Sequence, residues 1–523
     1  FTAAPIVKSG TENIQPTEAA CEASCAAIAT CNVGLWLSGT VRHGECWLST
    51  NEAAVPRKDF CGAHLGQTCA SFRRKSFTVP PTPAPSPYYT GVAPALGMRS
   101  AVPLGGIGAG SLELRGDGTL HEWIIHNAGP SGAAKIQVYE DAFFAVSVDD
   151  HTAVLQTHPR ASSLAKGVEG VDAIEYSGAY PVSRLSANIS THMTTDLYGW
   201  STFIPGNMKK TARPAVSFTL AVKNKQHLYS SKASLLFNLP IQLERDQLRS
   251  GTVISSSTTA DAETCLTQCN NATVGATDGG CHSWTWTTAT KACNLQSDAP
   301  LNRYALGVTS GLAGEWITDA ASKCLILVRP GSGPMHGNVS MCVSSSIPSG
   351  ASIEWSANTA THASDLTAAF ADSTVKGLGG PSAAGDRLVN GGHGGVSVSA
   401  MVPSGKSATL TVTLGWFFPH RDHYNYDPTK PFLPYGNKYA QMYPGGAVEA
   451  AFGNVPTAGN AREMALADTI TSGAQAWHAP FFGTSATNVS SLPAWLADLL
   501  VNSLSHTRDS MWWQQCPHCH SSL

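Results

Sequence analysis

Ala215-Val-Ser-Phe-Thr-Leu-Ala-Val222 and Ala408-Thr-Leu-Thr-Val-Thr-Leu-Gly415 decide how this sequence folds. Both set apolar and hydroxyl side chains on alternating positions, the period-two pattern that turns one face of a strand into a core. Ser234-Leu-Leu-Phe-Asn-Leu-Pro240 and Gly395-Val-Ser-Val-Ser-Ala-Met-Val402 have strand length as well. Turn-rich stretches separate these runs, which predicts a mainly β protein built on a large antiparallel β-sandwich.

Outward from the strands, the C-terminal stretch changes period. Met464, Ala467, Ile470, Ala474 and Trp477 recur at helical spacing. Ser491 then reads as a cap with Pro493 near a helix start, followed by a stripe of Trp495, Leu496, Leu499, Leu500 and Leu504. These helices read as the opening of a larger helical domain, because so wide a stripe calls for a helical partner.

The 14 cysteines fall in even local sets. They are Cys21, Cys25, Cys31, Cys46, Cys61 and Cys69; Cys265, Cys269, Cys281 and Cys293; Cys324 with Cys342; and Cys516 with Cys519. Even sets of this kind predict disulfides and an oxidising compartment. Asn188, Asn271, Asn338 and Asn488 each begin an Asn-x-Ser/Thr acceptor sequence, so the expectation is a secreted, extracellular glycoprotein. Residues 324 and 342 lie equally far from Gly333 in a turn-forming stretch. Folding back there makes them a cross-strand pair and predicts a Cys324–Cys342 bridge.

Two of the cysteine sets look like copies of one module. Each opens with Cys-x-x-x-Cys (Cys21 and Cys25, then Cys265 and Cys269), two sulfurs one helical turn apart. A third cysteine, a tryptophan (Trp36; Trp284 and Trp286) and a Cys-x-Leu follow. The pattern resembles the PAN/apple module, a small disulfide-held fold whose helix is stapled to a sheet. The resemblance implies adhesion to protein or carbohydrate, while the plainer reading is a spacer. Val79-Pro-Pro-Thr-Pro-Ala-Pro-Ser-Pro87 favours an extended strut that no core crosses. The expected organisation is a module at 1–76, a linker at 77–92, sandwich at 93–247 and 321–460, an inserted module at 248–320, and helices over 461–523.

Composition narrows the function. A formal charge of -3 excludes the broad cationic surface that grips nucleic acid, and no apolar run is long enough for a transmembrane segment. Charged residues are only 13% of the 523, yet 42% are hydrophobic, so the chain has the means to bury a core. Phe1 stands where an initiator Met would, and the chain reads as a mature product with its leader removed.

Few segments invite chemistry. Pro103-Leu-Gly-Gly-Ile-Gly-Ala-Gly110 lacks both phosphate-loop spacings and reads instead as glycines permitting close backbone approach. Cys516-Pro-His-Cys519-His520 matches redox, haem and zinc signatures on paper but has no context for them, and a structural disulfide is the reading retained. No cofactor or metal is called for. Trp416, His420, Asp422 and Tyr424 lie in the densest aromatic-polar run, a combination able to hold a sugar by stacking and hydrogen bonds. The plainer reading of that run is a strand end packed against helices.

Several segments, in order, resemble glycoside hydrolase family 116, the family of non-lysosomal glucosylceramidase. They are Val102-Pro-Leu-Gly-Gly-Ile-Gly-Ala-Gly-Ser111 with His121-Glu-Trp123; Leu414-Gly-Trp-Phe-Phe-Pro419; Gly436-Asn-Lys-Tyr439; Trp477-His-Ala-Pro480; and Leu492-Pro-Ala-Trp-Leu-Ala-Asp-Leu-Leu-Val-Asn-Ser-Leu504 before Met511-Trp-Trp513. The resemblance implies a β-sandwich followed by an (α/α)6 catalytic barrel that cleaves β-glucosides through two carboxyl groups ~5–5.5 Å apart. It places both carboxyls beyond the Leu-Pro-Ala-Trp helix, so no catalytic residue carries over to a position in this sequence. The expectation is the non-catalytic N-terminal region of a secreted β-glucosidase-like enzyme, inactive alone. Alternatives are an adhesive glycoprotein that self-associates through its sandwich and modules, or a carbohydrate-binding protein. The partners expected are carbohydrate, glycoprotein or a second copy of the chain.

Overall fold

The computed structural model describes residues 6–8, 13–26, 31, 33–39, 45–49, 67–73, 102–125, 136–138, 142–204, 206–226, 228–241, 243–273, 280–298, 302–329, 336–346, 353–372, 377–379, 387–388, 391–422, 434–452, 475–485, 488–489, 492–503 and 514–515. The chain divides into two compact units, Phe1–Pro80 and Pro81–Leu523. The proline strut at 79–87 lies outside the described residues.

The first unit is a four-stranded antiparallel sheet, ordered Ile6–Lys8, Glu45–Ser49, Val33–Gly39, Gln67–Arg73, with the helix Glu18–Ala26 against it. Cys21 on the helix bonds to Cys46 on a strand, and Cys25 bonds to Cys31. With Leu48 these sulfurs are the buried core. So small a unit holds little apolar surface, and the cross-links supply what burial cannot. Cys61 and the Cys69 side chain lie outside the described residues, as do Cys516 and Cys519.

The second unit is mainly β, and its two large sheets face each other. One has six strands, in the order Glu169–Gly170, His151–Val154, Phe143–Val148, Ser231–Pro240, His393–Val402, Ile353–Ala360. The other has nine, in the order Ile174–Ala179, Val182–Ala187, Met193–Trp200, Ala215–Asn224, Ser407–Phe417, Gly337–Ser346, Cys324–Arg329, Glu315–Asp319, Arg387–Leu388. The two opening sequence runs are neighbours at its centre, with Leu220 opposite Leu410 and Phe218 opposite Val412. Their apolar face meets Phe144, Leu235 and Phe237 in the main core. Phe144 packs against Phe237 and Phe218 with ring centroids 4.6 and 4.7 Å away. The hydroxyl positions on the other face pair across strands, Ser217 with Thr413 at 2.8 Å and Thr219 with Thr411 at 2.9 Å. Alternation therefore sets both the core and the satisfied polar face. Cys324 stands opposite Cys342 in the register and forms the disulfide, as the turn geometry requires.

The second cysteine set builds a five-stranded sheet inserted between strand Ser231–Pro240 and strand Glu315–Asp319. Its helix Ala262–Thr273 is stapled by Cys265–Cys293, and Cys269 bonds to Cys281. Both modules thus share one connectivity, the first cysteine with the fourth and the second with the third. The insert returns to where it left: a Cβ at Gly314 would sit 3.3 Å from Ile241 Cδ1. Asn270 fastens it down, its Oδ1 accepting from Gly314 N–H at 3.0 Å and its Nδ2 donating to the Gly391 carbonyl at 3.4 Å.

The last described helices are Gln475–Phe482 and Ala494–Val501, and residues 453–474 lie outside the described residues. The buried face of the second differs from the leucine stripe read in sequence. Ala497 and Val501 are fully buried, whereas Leu499 is 62% exposed and Leu496 and Leu500 are half-buried. Small side chains take the inner face because the helix lies close on Ala179. The Trp495 side chain and Leu504 lie outside the described residues.

Candidate functional site

The segments that resemble a glycoside hydrolase meet at one corner of the second unit. Val102–Gly106 and Gly110–Leu114 pair as a hairpin. At Gly106 a Cβ would stand 2.4 Å from the Arg213 carbonyl oxygen, so glycine alone lets the two backbones meet. Next to it, Ile107 N–H donates to the Thr211 carbonyl at 3.0 Å, and Gly105 N–H donates to the Ser201 hydroxyl at 2.6 Å. The glycines serve close approach, and the phosphate reading is set aside.

Trp416 is fully buried and donates its indole N–H to the Ala109 carbonyl at 2.7 Å. A ring enclosed in the core offers no face to a sugar, which corrects the expectation for Trp416. His420 is exposed at the start of the strand His420–Asp422, while the Asp422 side chain and Tyr424 lie outside the described residues. Phe418 is held instead by Tyr439, whose hydroxyl accepts from Phe418 N–H at 2.9 Å and donates to its carbonyl at 3.1 Å. Burial pushes the Tyr439 phenol far above its ordinary range, so the proton it donates stays in place. Asn437 adds an amide donor to the same carbonyl at 2.6 Å.

Arg213 ties this corner to the helix Gly446–Phe452. Its Nε donates to the Ala450 carbonyl at 2.6 Å and its Nη2 to the Ala451 carbonyl. These are last-turn carbonyls that the helix itself leaves without partners. Burial lowers the guanidinium to about 10 while Tyr443 opposes the fall, and it remains charged at neutral pH. Burial likewise pushes Tyr443 up to about 12 against the pull of Arg213, with Glu449 adding to the rise. The Tyr443 hydroxyl donates to the Lys209 carbonyl at 2.6 Å.

The two last helices grip the neighbouring turn. Asn502 Oδ1 accepts from Tyr180 N–H at 2.9 Å, and His478 Nε2 lies 2.7 Å from the Tyr180 carbonyl oxygen, which fixes a proton on Nε2. Trp477 donates to the Val501 carbonyl at 2.9 Å, joining one helix to the other. Phe203 bridges Tyr180 and Trp477, with ring centroids 5.4 and 5.6 Å away. Arg213, Tyr439, Asn437, Tyr443, Asn502 and His478 all hold backbone in place. His478 and Asn502 were visible in sequence only as parts of a resembling segment, and the backbone they hold lies about three hundred residues earlier.

A second cluster lies where the insert meets the sandwich. Ligand atoms of Asp261, Glu263 and His362 fall within 4.8 Å of one another. Asp261 accepts from Thr264 N–H at 2.7 Å and so caps its own helix. Glu263 Oε2 lies 2.6 Å from His362 Nδ1. Partial burial disfavours the imidazolium, but the Glu263 hydrogen bond and charge, helped by Asp261 and Asp365, outweigh it and raise the His362 pKa. The group acts as a lock between insert and sandwich.

The glycan acceptors differ in access. Asn188 and Asn271 are exposed, whereas Asn338 is half-buried with its Oδ1 accepting from Ala447 N–H at 2.9 Å. The Asn488 side chain lies outside the described residues. A family model described as beta-glucosidase 2, glycosyl-hydrolase family 116 N-term, matches residues 101–455. No curated protein matches the chain.

Proposed function

The chain belongs to the glycosyl-hydrolase family 116 N-terminal family, and from that premise we propose that it is a non-catalytic brace for the helical domain of a secreted β-glucosidase-like enzyme. The observation that carries the reading is the use made of the glycoside-hydrolase-like segments. Trp416, Tyr439, Asn437, His478 and Asn502 each give a polar atom to backbone, at the corner where the last helices seat. A corner built this way positions helices and leaves bond cleavage to groups elsewhere. Among the described residues ten cysteines form five disulfides, which supports the extracellular setting. Purified as this chain, the protein should leave an aryl β-glucoside uncleaved. Turnover that disappears on substitution of a carboxylate in the sandwich would overturn the reading.

A second reading, self-association in an adhesive glycoprotein, is favoured by the edge strand Val253–Thr258, whose six side chains are all exposed. Unpaired backbone beside Val253 and Ile254 is a template for a second copy of the chain. Sedimentation velocity checks it: a dimer that Ile254→Lys dissolves supports the reading, and a monomer at all concentrations rejects it.

A further inference from the structure

The six-stranded sheet has an outer face that the corner does not use. Phe144, Val146, Leu235, Phe237, Val396 and Val398 point into the main core. The residues between them therefore point outward. Register sets Ser147 opposite Ser234, Ser234 opposite Ser399, and Ser399 opposite Glu354, one polar row crossing four strands. The helix Ala363–Ala371 covers the neighbouring part of this face, packing Ala363 and Phe370 on Phe143, Ala145 and Leu236. Beside its last turn a cavity of about 380 Å³ opens over the serine row.

The floor of this cavity has unmet hydrogen-bonding capacity. Ser234 and Ser399 are 6% and 4% exposed, and neither hydroxyl has a hydrogen-bond partner among the described residues. Ser147 reaches only the Asp149 carbonyl, at 3.4 Å. Both hydroxyls line the open cavity, where they are available to a ligand as donors and acceptors. Phe370 supplies one apolar wall, and Asp149, Asp150 and Asp372 stand at the rim. Lys232 also lines the rim, with its ammonium 3.3 Å from Glu354.

These features select a ligand class. Asp149 and Asp150 beside one ammonium that already has an acidic neighbour disfavour phosphates and carboxylates. Among the described residues the three aspartates do not bring their oxygens together around one point; the group that does so is Asp261, Glu263 and His362. A single metal ion therefore does not fit. What fits is a small neutral molecule with many hydroxyls and one apolar face, of a size suited to a pocket of several hundred cubic ångströms.

We propose that this cavity binds one neutral hexopyranose unit. Its hydroxyls accept from Ser234 and Ser399 and donate to the rim carboxylates, and its C–H face lies on the Phe370 ring. The site lies on a different sheet from the helix-bearing corner, so it stands or falls separately from the bracing role.

Saturation-transfer NMR on the full chain tests the proposal, with methyl β-glucopyranoside, methyl β-galactopyranoside and methyl α-mannopyranoside as probes and spermidine as the cationic competitor. At least one glycoside should bind with a Kd of about 1 mM, and Ser399→Val and Asp150→Asn should each weaken it about tenfold. Asp150 is exposed in a turn, so its variant decides the matter even where Ser399→Val fails to fold. The proposal is overturned by no transfer to any of the three at about 10 mM. Binding that both variants leave intact, or displacement of the sugar by spermidine as the preferred ligand, overturns it equally.

Discussion

Replacing Arg213 by Met keeps the aliphatic stem and removes the guanidinium that joins the corner to the helix Gly446–Phe452. Two charge-assisted hydrogen bonds disappear, to the Ala450 and Ala451 carbonyls, and the approach to the Thr202 hydroxyl at 3.5 Å goes with them. Each bond of this kind contributes roughly 1.5–3 kcal/mol, and both carbonyls are left buried without that donor. Against this, a desolvated charge is relieved, which returns part of the loss. The balance is a destabilisation of about 3 kcal/mol, with Arg213→Lys losing roughly half as much because an ammonium cannot span two carbonyls. Urea unfolding followed by tryptophan fluorescence measures the total, since Trp416 donates its backbone N–H to the Pro214 carbonyl at 3.0 Å and reports on the same corner. Amide exchange across Gly446–Phe452 should rise more than exchange in the central strands. An Arg213→Met protein within about 0.5 kcal/mol of the parent, with unchanged exchange in that helix, refutes the reasoning.

The lock between insert and sandwich should loosen as pH rises. His362 has a folded-state pKa raised above its ordinary value, so its stabilisation is complete below the unfolded pKa and is lost on passing upward through the folded one. Both partners are partly exposed, which limits the effect between about pH 6 and about pH 8.5 to on the order of 0.5 kcal/mol; His362→Gln should flatten that slope in urea midpoints. Peptide mapping of secreted material should find glycan at Asn188 and Asn271 and none at Asn338, whose amide is engaged with Ala447. Glycan on Asn338 contradicts the burial argument. Replacing Cys324 and Cys342 together by Ser should cost about 3 kcal/mol, the loop-closure value for a separation of 18 residues, as read from the urea midpoint.

The strands were legible because their alternation is local. Phe218, Leu220 and Val222 declare an inward face without knowledge of the facing sheet, and Cys324 and Cys342 declare a register through the turn between them. The inner face of Ala494–Val501 was not legible. Helical spacing marks Leu499 and Ala497 alike as apolar, and only the close seat on Ala179 decides that the smaller residue goes inside. Trp416 misled for the same reason: neighbouring His and Asp residues describe a surface, but its environment is set by Ala109, some three hundred positions away. The serine row was invisible as a row, since Ser147, Ser234 and Ser399 become neighbours only through the order of strands.

The insert leaves the sandwich at Ile241 and rejoins it at Gly314 beside the same side chain. A folded passenger whose two ends meet imposes almost no tension on its host, because the span between them is the same whether the passenger is large or small. The junction is therefore a natural splice point. A short Gly-Ser bridge in place of residues 243–313 should leave the two large sheets able to form, and a different compact domain with adjoining termini should be accommodated there as readily as the native one.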